Sequence, residues 1–153
     1  SLAHKLGSEF HIPHGRANAI LLPHVVEYNA QLPTKFAAFP KYKSFVADKK
    51  YAEIAKVLGL KADTVEQGVL SLVQAIKDLM KELNMPMSVE ECGIDKDTYF
   101  AAIERLALDA FDDQCTPANP RLPLVTELHE IYKNIYPSTK VKCVKEEKVE
   151  VKC

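Results

Sequence analysis

The chain holds no apolar run near the roughly 18 residues that a membrane-spanning helix needs, so no membrane partner is expected. It also lacks a surplus of either charge: Lys and Arg number 20, Asp and Glu 21, and the formal net charge is −1. A nucleic-acid partner held by phosphate neutralisation is therefore not expected, because no positive field is available to draw the polyanion in. Five glycines in 153 residues leave little material for a phosphate cradle, and neither a G-x-G-x-x-G nor a P-loop pattern occurs. There is no G-x-S-x-G elbow for a serine nucleophile. The four cysteines, Cys92, Cys115, Cys143 and Cys153, show no C-x-x-C spacing and read as free thiols of a reducing compartment. Ser1 to Gly7 mixes His and Lys with apolar residues, unlike a secretory leader. The expected location is the cytoplasm.

What is present is the mixture of one packed domain, 47% apolar and 27% charged. From Gly15 onward the pattern is helical. Ala17, Ile20, Leu21, Val25 and Tyr28 share a face, although Pro23 must kink that helix or remove one of its bonds. Residues 31–45 carry Pro33 and Pro40 and read as a loop. Residues 51–58 form a short amphipathic helix closed by Gly59. Asp63 with Glu66 is read as the N-cap pair of the longest helix, whose stripe is Val65, Val69, Leu72, Val73, Ile76, Leu79, Met80 and Leu83. Asn84 and Pro86 end it. Ser88 with Glu91 caps a single turn stopped by Gly93, and Asp95 starts a helix through Tyr99, Ile103, Leu106 and Phe111. Pro123 opens the last helix and Pro137 stops it. No strand alternation is sustained before residue 137, so the fold class is all-α, an antiparallel helical bundle.

The tail, 137–153, alternates Lys, Glu and Val. It reads as a mobile charged terminus, with an edge strand added to a partner's sheet as the second reading.

Chemistry is concentrated in two places. His4, His11 and His14 lie within the first 14 residues, and neutral imidazole is a good ligand for Fe²⁺ or Zn²⁺. Pro13 prevents His11 and His14 from sharing one regular helical face, and Gly15 permits a tight turn. The spacing alone fits three structural or surface histidines as well as a site. The second place is Asp112 to Arg121, where Asp112, Asp113, Asn119 and Arg121 stand among Pro117 and Pro120. Either the aspartates cap helices and Arg121 pairs with one of them, or this stiff polar loop lines a pocket beside the histidines.

At this point the text AHKLGSEFHIPHGRANAILLPHVVEYNA resembles the histidine signature of the iron-dependent alcohol dehydrogenases, above all the alcohol dehydrogenase half of the bifunctional aldehyde-alcohol dehydrogenases. FDDQCTPANPRLPLVTELHEIY resembles that family's later loop and closing helix, and KYAEIAKVLGL matches the region between. The resemblance covers residues 1–136. It implies part of a C-terminal helical domain, cut short on its N-terminal side, that faces a dinucleotide-binding α/β domain across the active-site cleft. It implies a metal, Fe²⁺ or Zn²⁺, held by one Asp and three His, of which His14 is the last and the others precede Ser1. His4 is implied near the metal and nicotinamide in proton handling, Cys115 near substrate and nicotinamide, and His11 as a pocket neighbour. The implied reaction is reduction of an aldehyde, acetaldehyde in this subfamily, by hydride transfer from NADH. A homo-oligomer, in some members a filament, is the implied assembly. A non-catalytic helical module serving oligomer contacts is the alternative, and a glycerol or butanol dehydrogenase branch a further one.

Overall fold

The computed structural model describes residues 1–33 and 45–136. Among the described residues all regular structure is helical: α1 (Leu2–Phe10), α2 (His14–Ala30), α3 (Ala47–Val57), α4 (Val65–Glu82), α5 (Lys96–Phe111) and α6 (Val125–Asn134). Single 3₁₀ turns lie at Glu90–Cys92 and Thr116–Ala118. The all-α helical bundle expected from the sequence is present. Pro137 and the tail lie outside the described residues, as do Cys143 and Cys153.

The boundaries follow local chemistry, with four departures from the sequence reading, the smallest being that α6 begins at Val125 with Leu124 as its cap, so that Pro123 precedes the first turn and does not open it. No helix is expected before Gly15, yet α1 forms there. Leu2, Ala3 and Leu6 fall on one face and are buried, and Tyr132 donates its hydroxyl to the Leu2 carbonyl at 3.1 Å. His11 closes α1 in the left-handed region at φ 54°. The cap of α4 is Thr64 rather than Asp63: its hydroxyl accepts the Gln67 N–H at 3.1 Å, and the Gln67 side chain accepts the Asp63 N–H at 3.0 Å. The helix ending at Gly59 begins at Ala47, earlier than expected, because Asp48, Lys49 and Lys50 continue it without a breaker.

Elsewhere the reading holds. Gly59 at φ 72° and Gly93 at φ 83° make the left-handed exits of α3 and of the 3₁₀ turn, conformations that side chains disfavour. Asp95 accepts the Thr98 N–H at 3.0 Å to cap α5, and Ser88 accepts the Glu91 N–H at 3.2 Å. The helix α2 continues through Pro23, which lacks the N–H for one internal bond but does not end it.

Two cores share α2. The larger gathers Leu6 of α1, Ile20 and Leu21 of α2, Tyr99, Ile103 and Leu106 of α5, and Leu128, Tyr132 and Ile135 at the end of the chain's described part. Tyr99 donates to the Tyr132 carbonyl at 2.8 Å, and burial pushes both phenols above the ordinary tyrosine range. The smaller core joins Val26 of α2 to Ala55 of α3 and to Val69, Leu72 and Val73 of α4. The stripe expected on α4 is only partly covered, since Val65, Leu79 and Leu83 are exposed.

The α3–α4 contact is set by Gly68. A Cβ there would lie 2.9 Å from both the Cα and the Cβ of Ala52 and 3.1 Å from the Cβ of Ala62. Gly68→Ala improves helix propensity by up to about 1 kcal/mol. Overpacking against backbone costs about 1–3 kcal/mol, so the variant is expected to be less stable by about 1–2 kcal/mol. Urea unfolding checks this, and a stabilised variant would show that the two helices can part at no cost.

Candidate functional site

A cleft of about 810 Å³ opens between the N-terminal half of α2, the start of α1 and the loop from Cys115 to Pro123. That volume is within the range of small-molecule sites, about 300–1,000 Å³. Leu2, Leu21, Leu22 and Val25 give it an apolar wall, and His4, His14, Asn18, Cys115, Thr116 and Asn119 give it polar ones.

The left-handed turn at His11 and the fixed backbone of Pro13 fold α1 back beside α2. This brings His4, in the first turn of α1, over His14, the first residue of α2. Their rings stack with centroids 5.4 Å apart and planes 19° from parallel. His11 is exposed and is not among the residues that line this cleft; it sits in the turn that pairs the other two histidines.

Asp113 enters from the far end of the sequence. One carboxylate oxygen, Oδ2, lies 3.3 Å from His4 Nδ1 and 3.2 Å from Lys5 Nζ. The other, Oδ1, accepts the Cys115 N–H at 2.9 Å, a local Asx turn that also presents Cys115 at the cleft. These bonds hold the Asp113 carboxyl well below the usual carboxylate range, the Cys115 N–H contributing most. His4, Asp113 and Cys115 thus present three ligand-type atoms within 4.8 Å of one another. Both Asp113 oxygens are already engaged, one of them with a lysine ammonium, so the group is a hydrogen-bonded cluster and not a cation site. The sequence offers Asp113 as a helix cap, as a partner of Arg121 or as part of a pocket-lining loop, and not as a partner of His4. Lys5 is not singled out at all, and the Asp-x-Cys spacing is the one local signal that could have pointed to the turn.

The loop is pinned from behind. Arg121, only 6% exposed, lies 4.1 Å over the Tyr28 ring. It donates to the Tyr28 carbonyl at 2.9 Å, to Gln31 Oε1 at 2.8 Å and to Glu127 Oε1 at 3.0 Å. Asn119 and Asn29 exchange amide hydrogen bonds of 2.7 and 3.1 Å. Arg121 therefore pairs with neither Asp112 nor Asp113. The turn at Thr116–Ala118 and its flanking prolines direct it inward to α2 and α6, while Asp113 faces α1. Of the two readings of this loop, it is the pocket-lining one that the structure forms.

As for metal, His14 supplies one imidazole donor at the cleft, and among the described residues no Asp and pair of His join it. By itself this donor set does not make a divalent centre. No glycine-rich phosphate cradle for a dinucleotide occurs in the sequence either.

The class of protein to which this helical domain and its cleft belong, the alcohol dehydrogenases, is given by comparison with known proteins. Residues 1–136 match the model of the Fe-containing alcohol dehydrogenase family, C-terminal. The chain belongs to that family. It is 48% identical over 139 residues to the bifunctional aldehyde-alcohol dehydrogenase of Escherichia coli, and 44% identical over 136 residues to aldehyde-alcohol dehydrogenase 2 of Entamoeba histolytica. Each match covers 89% of this chain but 16% of the relative, so the chain spans about one sixth of the length of these enzymes. The structure of an iron-containing alcohol dehydrogenase from Thermococcus thioreducens superposes with a TM-score of 0.70 at 30% identity, over 88% of this chain and 30% of that one.

Asp113 links the cleft to stability. Its folded pKa is depressed, so its contribution is fully present above the ordinary aspartate value of about 3.9 and is withdrawn as pH falls through the depressed one. Wild type is expected to exceed Asp113→Asn in stability at pH 6, with the gap narrowing steadily below pH of about 4. Urea unfolding across that range checks it. A gap that stays constant from pH 6 into acid would show that the charge contributes nothing.

Proposed function

We propose that this chain is the later part of the helical catalytic domain of a metal-dependent, NAD-linked aldehyde-alcohol dehydrogenase that reduces a short aldehyde, acetaldehyde in the first instance, to its primary alcohol. In this reading residues 1–136 are domain and 137–153 a charged tail. The carrying observation is the cleft itself, which His4, His14 and Cys115, from three separate segments, line beside an apolar wall. The family match and the aldehyde-alcohol dehydrogenase relatives support the same reading.

The residues take distinct parts. His14 offers a metal donor at the start of α2. When bound, a divalent metal supplies Lewis acidity at the substrate oxygen and NADH supplies the hydride. His4 handles the proton at that oxygen, which an imidazole can accept or give near neutral pH. Cys115, on the opposite wall, would stand near substrate and nicotinamide when these are bound. Leu2, Leu21, Leu22 and Val25 orient the alkyl group and exclude water. The remaining metal donors and most of the NAD(H) contacts come from residues outside this chain, so the 153 residues alone are expected to be inactive. The enzyme works in the cytoplasm, in keeping with the unpaired thiols of Cys92 and Cys115.

The test is made in the longer protein that carries this segment in its native source. His14→Ala is expected to abolish metal content and turnover together, measured by elemental analysis and NADH oxidation. Unchanged metal content would overturn the assignment of His14.

A second reading, a helical module for homo-oligomer or filament contacts, draws on the exposed Val57, Leu58, Leu79 and Leu83 of the α3–α4 side. It expects the 153-residue chain to self-associate in sedimentation velocity without added metal or NADH. A compact monomer at all concentrations would remove it.

A further inference from the structure

We propose that Asp113 is a positioning residue for His4: its carboxylate selects the imidazole nitrogen that carries the proton and leaves Nε2 directed to the cleft. This rests on the proposed role of His4 only for its consequence in turnover; the orientation itself stands on geometry.

An ionised carboxylate accepts and cannot donate. The Asp113 side chain is 8% exposed, and its Oδ2 meets His4 Nδ1 at 3.3 Å, so Nδ1 must bear the hydrogen. In a neutral ring Nε2 then holds the free lone pair, on the edge opposite Asp113 and toward the cleft that His4 lines. Lys5 Nζ, 3.2 Å from the same oxygen, and the Cys115 N–H, 2.9 Å from the other, both favour the ionised carboxylate. Asp113 is thereby kept an acceptor, holding the ring without taking its proton. The His14 ring restrains the face of the imidazole and Asp113 restrains its edge. Without the edge contact, a flip about the broad, roughly two-fold torsion of a histidine ring puts Cδ2 in the place of Nδ1 and Cε1 in the place of Nε2. A carboxylate that fixes an imidazole in this way is a recurring device: at metal-ligating histidines its loss lowers affinity or activity by about 10–100-fold, and a loss of the same order is expected for a proton-handling one.

The test reads the tautomer first. The full 153-residue chain is labelled with ¹⁵N-histidine, and long-range ¹H–¹⁵N correlation assigns the protonated nitrogen of His4, with the chain carrying His4→Gln identifying the signal. Wild type is expected to show the Nδ1–H form, and Lys5→Met, which leaves the His4–Asp113 pair intact, the same. Asp113→Ala is expected to lose the preference while its circular dichroism remains helical. If Asp113→Ala does not fold, Asp113→Asn serves, because its amide can turn an N–H toward Nδ1 and is expected to raise the Nε2–H form. An Nε2–H ring in wild type, or an unchanged tautomer in a folded Asp113 variant, overturns the proposal. In the longer dehydrogenase Asp113→Ala is then expected to lower kcat by about 10–100-fold with KM little changed. A shifted tautomer with unaltered kcat supports the positioning and instead removes His4 from the reaction, so the two ideas fail separately.

Discussion

The cleft keeps its shape because Arg121 is buried against α2. A guanidinium taken out of water must find acceptors on most of its hydrogens. Arg121 finds them on the Tyr28 carbonyl at the end of α2, on Gln31 just past it and on Glu127 in the first turn of α6. Its face is covered by the Tyr28 ring, whose hydroxyl donates in turn to Glu127 Oε2 at 2.8 Å. Glu127 also accepts the Leu124 N–H at 2.8 Å, so the same carboxylate supports the start of α6. One side chain therefore joins two helix ends and fixes where the loop of Cys115 to Pro120 must run between them. The reciprocal amide pair of Asn29 and Asn119 adds a second tie one residue along α2. Both sets of contacts lie behind the cleft wall, which leaves the Cys115 side of the loop free to face α1.

On that front side the constraint is charge. His4, Lys5 and Asp113 lie together because a carboxylate with two cationic or proton-bearing neighbours is stabilised as the anion. The geometry also explains why a triad of His, Asp and Cys is not a metal centre here: each Asp113 oxygen is spent on a donor, and bringing in a cation would displace Lys5 into the space it occupied. The imidazole that the resemblance assigns to metal is the other one, His14.

Much of the fold was readable because it rests on local rules. Asp95, Ser88, Gly59 and Gly93 each act within three or four residues, and the periodicity of α4 and α5 is regular enough to place them. Errors came where local rules compete. Asp63 and Thr64 are both good caps, and only the backbone angle at Thr64 decides between them. The helix α1 is not legible in the sequence because nine residues interrupted by Gly7 and followed at once by His11 and Pro13 look like a loop. Its apolar face is short, and the signal that fixes it, the Tyr132 hydroxyl on Leu2, comes from 130 residues away. The loop of Asp112 to Arg121 was legible as stiff and polar, yet the partners of its charges were not. Proximity in sequence suggests that Arg121 pairs with Asp112 or Asp113. In the folded chain the 3₁₀ turn at Thr116–Ala118 sends the arginine and the aspartate to opposite sides. The histidine pair itself was carried by the resemblance, since nothing in the spacing of residues 4 and 14 fixes a stack.

The dependence of the site on long-range contacts follows from the length of α1. At nine residues it is shorter than the roughly 12–15 at which an isolated helix becomes even marginal, so it exists only where it is docked. Its docking has an apolar part, Leu2, Ala3 and Leu6 against α5 and α6, and a polar part at each end. Tyr132 holds the Leu2 carbonyl, Arg105 of α5 pairs with Glu9 at 2.6 Å, and Asp113 takes His4 and Lys5 between them. The position of His4 is thus decided jointly by α2, by α5, by Tyr132 of α6 and by the loop after α5, whereas His14 is carried by α2 itself. The stacked pair forms only when the two halves of the bundle close on each other. Packing in the core and chemistry in the cleft are in this respect one constraint: a change that loosens α1 separates His4 from His14 without touching either.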